Sequence, residues 1–222
     1  MGMQSDYHAN LRQLAELLYA MCERDRIAIA AATHAVVNAD IDQAEAAVDL
    51  VGQVEIMQRE AEQEVLRLLA LRAPVAGELR LGVTAIQLSG NLHCMAVLAG
   101  HIAISARRRH PDHVVPGPVR PLIERIGSTA LAIATDAAAV LDTGDPDAAA
   151  GLDARDDTMY RLHEQLLAVV LDHDWVFGIT AAVDLTLLGR YYERFADNAV
   201  EVGRRTIFLP TGETTHRPTP KA

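Results

Sequence analysis

The chain has 222 residues, with 20 Lys and Arg against 30 Asp and Glu, a formal charge of −10. Phosphate backbones repel so acidic a chain, and its one dense basic run, Arg107, Arg108 and Arg109, is too small for a nucleic-acid footprint. Hydrophobic residues make up 50 % and aromatics only 4 %, so the apolar content is Ala, Leu and Val, which favours helix and excludes an all-β architecture. Cys22 and Cys94 lack Cys-x-x-Cys spacing and suggest neither a disulfide framework nor a zinc ribbon, which fits a reducing cytosol. The opening MGMQSDYHAN lacks a basic-then-apolar leader pattern. No stretch is read as approaching the roughly 18 apolar residues of a membrane span, so no insertion in a membrane is expected.

Taken in order, breaks at Asn38 to Asp40 and at Ala73-Pro74 predict helices over about 5–38, 40–72 and 74–108, with Asp40 as an N-cap and Pro74 as a first-turn proline. The four-proline stretch HPDHVVPGPVRP, His110 to Pro121, is the expected boundary between two halves. Beyond it, GDP at Gly144 to Pro146 and DHDW at Asp172 to Trp175 predict helices over 118–143, 146–172 and 175–208. The polar, Pro- and Thr-rich end, 210–222, reads as a disordered tail.

The third helices superpose at an offset of 100 residues. Leu88, Leu92, Met95, Ala99 and Ile102 then match Leu188, Tyr192, Phe195, Ala199 and Val202, one apolar seam at steps of four and three. The expected fold is all-α: a tandem repeat of two antiparallel three-helix bundles, residues 1–110 and 122–209, joined by a linker over 111–121.

Opposite the second seam lie Arg190, Glu193, Arg194, Asp197 and Glu201, expected as surface groups. They suit a ladder of ion pairs at three- and four-residue spacing. They also suit a cation, because Glu193 and Asp197, one turn apart, offer paired carboxylates to a hard or borderline metal. The preceding helix adds Asp153, Asp156, Asp157 and Glu164, placed off its Met159, Leu162, Leu166 stripe. In the first half the equivalent positions are His93, Cys94, Val97 and His101, which exclude a carboxylate cluster and match no standard zinc spacing. Val97 and Ile104 there suit a contact surface. Nucleotide-binding, serine-hydrolase and zincin motifs are absent, and the only Glu-x-x-His, which a di-iron bundle uses in pairs, is Glu213 to His216.

GRYYERFADNAVEVGRR, Gly189 to Arg205, resembles the R-Y-x-E-R-x-x-D-H-A-x-N-I-A-E pattern of the PhoU family, and PVAGELR, Pro74 to Arg80, resembles its P-V-A-x-D-L-R. The resemblance spans about residues 5–212. It implies two three-helix bundles, each with a metal cluster on an E-x-x-x-D motif, in a cytoplasmic negative regulator of phosphate uptake and phosphate-starvation signalling. It further implies an adaptor, without enzymatic activity, between the ATPase subunit of a phosphate ABC transporter and a sensor histidine kinase, homodimeric and peripheral to the membrane through its partners. Only the second motif is present, as Glu193 and Asp197, with Asp156 on the family's second-helix aspartate and Val51 in its place in the first half. Asn198 and Glu201 stand where the family has His and Asn. The ligand set Glu193, Asp197 and Asp156 fits a divalent or trivalent ion, Fe, Zn, Mn or Mg. A metal-dependent helical enzyme or a metal-storage bundle is the alternative reading.

Overall fold

The computed structural model describes residues 2–70 and 76–211. They form six α-helices, α1 Gly2–Asn38, α2 Ile41–Ala70, α3 Ala76–Arg109, α4 Arg120–Thr143, α5 Pro146–Val170 and α6 Gly178–Thr211, with a 3₁₀ turn at Gly117–Val119 and, among the described residues, no strand. The two-bundle fold expected from the repeat is the one found. Pro74, Val75, the tail beyond Thr211 and the Glu213–His216 pair lie outside the described residues.

Local chemistry fixes the boundaries. Asp40 caps α2, accepting the Gln43 amide at 3.1 Å, and Asp145 caps α5, accepting the Asp147 amide at 2.9 Å with Pro146 behind it. Gly144, in the left-handed region at φ 64°, closes α4. The last helix starts three residues later than expected, because Asp172 folds the connection into a turn: its carboxylate accepts the Asp174 amide and its carbonyl the Trp175 amide. The Trp175 indole then donates to the Gly178 carbonyl.

Helices α1, α2 and α3 pack as one bundle and α4, α5 and α6 as the other, and the two join side by side through α1 against α4 and α3 against α6. One hydrophobic core runs through both. All ten residues of the paired seams are buried. The proline-rich connection is no free strap, since Val114, Val115 and Val119 are buried between its prolines and the Arg120 guanidinium donates to the Val115 carbonyl.

One expectation is corrected. Helix α3 does contain a stretch, within Leu79–Arg109, long and apolar enough to cross a membrane. Its apolar side is the seam of the first bundle, packed on α1, α2 and α6, so amphipathic burial accounts for the composition.

The α3–α6 contact is antiparallel along its length. Gln87 meets Arg205, Asn91 donates to Asn198 at 3.0 Å, His101 stacks on Tyr191 with centroids 5.2 Å apart, and Arg108 and Arg109 both reach Asp184. That register sets the middle of the contact at Ala96 and Ala196, both fully buried and exactly one repeat apart in sequence. A pseudo-twofold axis therefore passes between these alanines, whose small side chains let the helices approach closely.

Candidate functional site

Helix α6 carries the acidic motif, and helix α5 lies antiparallel beside it. Gly189 and Gly203 set their spacing: a Cβ on the first would press into His163 and Leu166, and one on the second into Leu152. The resulting register sets Asp156 of α5 beside Ala199 and Val200 of α6, about one turn beyond Asp197 and two turns from the Glu193–His163 pair.

Two expectations change here. Glu193 is not a surface group: its side chain keeps 15 % exposure, held by Arg190 at 2.5 Å and by His163 Nδ1 at 3.3 Å. Asp156 is not off the apolar stripe of α5 but within it, because the buried seam runs Leu152, Asp156, Met159, His163, Leu166 and Val170 in steps of four and three. His163, which the sequence analysis assigned no role, occupies that seam seven residues after Asp156. Its heptad spacing was the available signal.

Asp197 is exposed on α6. Two further acids of this face are in ion pairs, Asp153 with Arg204 at 2.5 Å and Glu201 with Arg205 at 2.8 Å. Of the expected ladder, the Arg190–Glu193 pair is present. Among the described residues no three His, Cys, Asp or Glu side chains converge as a metal-holding group. Glu193, Asp197 and Asp156 suit a hard cation in the chemistry of their oxygens, but they do not converge as they stand, and a cation there competes with Arg190 and His163 for Glu193.

The first bundle has a different surface at the same place. Cys94 and His101 are exposed and His93 is half-buried, with His101 committed to its stack on Tyr191. Val51, at the position matched to Asp156, lies against Gly100, where a Cβ would approach it to 2.8 Å. Val97 is half-buried. This half offers apolar contact where the second offers carboxylates.

Two buried polar groups complete the interior. Tyr192 reaches from α6 to Thr33 of α1, its hydroxyl 2.9 Å from Thr33 Oγ1, which itself donates to the Ile29 carbonyl. Burial holds the Tyr192 hydroxyl protonated. Asp25 of α1 is fully buried with neither carboxylate oxygen hydrogen-bonded, and burial raises its pKa well above the ordinary carboxylate range.

The PhoU domain profile matches twice, over residues 18–106 and 123–206. The chain is 45 % identical over 210 residues to "Phosphate-specific transport system accessory protein PhoU homolog 1" of Mycobacterium leprae, covering 95 % of each chain. It is 43 % identical to PhoU homolog 2 of Mycobacterium tuberculosis, covering 95 % of this chain and 99 % of that one. Among solved structures, the phosphate transport system regulatory protein PhoU of Streptococcus pneumoniae superposes with a TM-score of 0.84 at 19 % identity, over 95 % of this chain and 100 % of that one. PhoU of Pseudomonas aeruginosa superposes with a TM-score of 0.81 at 22 % identity, over 93 % and 100 %. With the profile met in both bundles and the identity running almost end to end, the chain belongs to the PhoU family.

Proposed function

We propose that this protein is an accessory regulator of phosphate transport. It is cytoplasmic and without enzymatic activity of its own, and it couples the ATPase subunit of a phosphate ABC transporter to a sensor histidine kinase, keeping phosphate-starvation genes repressed while phosphate is ample. The observation that carries this reading is the 45 % identity, over 95 % of both chains, to a protein named as an accessory of the phosphate-specific transport system. Relatives are named as accessory proteins and not as enzymes, which favours the regulator over a metal-dependent catalyst or store. A homodimer, peripheral at the inner face of the membrane, is the proposed working form. The test is deletion of the gene followed by phosphatase and phosphate-uptake assays in phosphate-rich medium. Derepression of both, reversed by the wild-type gene, is expected, whereas full repression in a strain without a second copy of the family overturns the proposal.

The second bundle is proposed to take a divalent or trivalent ion on Glu193 and Asp197 with Asp156. Close carboxylates repel by about 1 kcal/mol per pair at 4 Å in water, and more where solvent is partly excluded, so a bound cation stabilises the bundle. Titration of Mn or Fe by calorimetry, followed by thermal melts, checks it. Wild type and His93→Ala/His101→Ala are expected to bind and gain stability, and Glu193→Gln/Asp197→Asn to lose both. Equal binding by the carboxamide variant leaves the ion-pair ladder as the only role of this face.

A further inference from the structure

The outer face of the α3–α6 pair carries apolar side chains that stand exposed among the described residues. On the first turns of α3 these are Leu79, Val83 and Ile86, exposed by 47, 45 and 37 %, and on the first turns of α6 they are Ile179, Val183 and Leu187, exposed by 84, 51 and 38 %. Two of the pairs, Leu79 with Ile179 and Val83 with Val183, are repeat mates at the 100-residue offset. Packing does not demand this, since the seams that hold the bundles together lie on the opposite side of both helices. Between its two ends the same face changes chemistry, Val97 of α3 standing against Asp197 of α6, while the ends are apolar in both helices.

Geometry ties the two patches together. Antiparallel neighbours exchanged by a twofold have that axis normal to the plane of the pair, so both patches face the same way, one at each end. From Val83 to Ala96 is 13 residues of helix, about 20 Å at 1.5 Å per residue, and the second patch lies as far on the other side, about 40 Å from the first. Each patch alone is far smaller than a stable interface requires, but two held rigidly at a fixed span bind cooperatively to a partner that repeats its site at that span. Charge disfavours a bilayer as that partner: the chain carries −10, and Asp172 and Asp174 stand exposed beside the second patch.

We infer that the outer α3–α6 face is a bivalent docking surface for a twofold-symmetric protein, one copy of this chain straddling the partner's dyad with Leu79–Val83 and Ile179–Val183 in two equivalent apolar clefts rimmed by cations, the rim of one of them facing Asp172 and Asp174. The inference rests on the transporter reading above, and the probe is the purified ATPase subunit of the phosphate transporter in its dimeric state. Binding of the full chain is measured by calorimetry and sedimentation velocity for wild type, Val83→Asp, Val183→Asp and the double variant. Both positions are exposed, and unchanged circular dichroism and melting temperature verify each fold. The expected result is one chain per ATPase dimer, at least a tenfold loss for either single variant, and no binding by the double variant. Binding that survives the double substitution overturns this surface and leaves the transporter reading standing. So does a complex of one chain per ATPase protomer, or a loss confined to one of the two single variants. Failure of the wild type to bind overturns the inference together with the ATPase as partner, and the deletion assay then decides the rest of that reading. Self-association of the wild type, or binding to anionic vesicles, that the double variant abolishes assigns the face to a second copy or to lipid and overturns the inference as well.

Discussion

Asp25 shows how one residue sets the response of the molecule to pH. It occupies the seam of α1, where Leu14, Leu18, Met21, Asp25, Ala28, Ala32 and Ala35 follow one another in steps of four and three, and all but Asp25 are apolar. A carboxyl there stays protonated above the ordinary value near 3.9, so between that value and its raised folded-state pKa the native state binds a proton that the unfolded state has released. Stability therefore falls as pH rises through this window, by at most about 1.4 kcal/mol per pH unit from this group. Urea melts of wild type and Asp25→Asn at pH 5 and pH 7.5 check it. The difference in favour of the variant should grow with pH, and a pH-independent difference would mean that the carboxyl ionises without cost. The same burial, with Asp25 and Glu23 adding to it, raises the Cys22 thiol and leaves it unreactive, whereas Cys94 is exposed.

At the scale of the helix, periodicity made the architecture legible and also limited what could be read from it. The seams of α3 and α6 and the cap at Asp40 follow directly from apolar spacing and from a short acidic residue before a helix. The start of α6 did not, because Asp172 and Trp175 build a turn from hydrogen bonds that no periodic pattern records. The site was less legible, for a related reason. A helical wheel for α6 alone sets Glu193 opposite the seam, yet a second helix packs against that flank, and Glu193 is enclosed by His163. Contacts between helices also decide Gly127 of α4, where an added Cβ would land on the side chain of Thr33. Gly127→Ala is accordingly expected to push α1 and α4 apart, loosen the Thr33–Tyr192 hydrogen bond and cost about 1–3 kcal/mol in a thermal or urea melt. Gly151→Ala, on an open helix surface with nothing near its Cβ, is the control and should be neutral or stabilising.

Across the whole molecule the duplication is plain in sequence, but the way its halves meet is not, because side-by-side packing depends on pairs such as Asn91 with Asn198 that have no local signature. Asp184 is the least symmetric of these contacts. It is nearly buried and takes Arg109 at 2.6 Å and Arg108 at 3.2 Å, whereas its repeat mate is Thr84 and the repeat mate of Arg108 is Phe208. Two copies of the first half, joined through α3 as the real halves are joined, would set each Arg108 against a threonine and leave both cations without a carboxylate. Two copies of the second half would carry an aspartate at each end of the contact with no arginine to meet it. Joined in one chain, the two halves are thus complementary in charge at this end of their contact, an arginine pair on one meeting a nearly buried aspartate on the other.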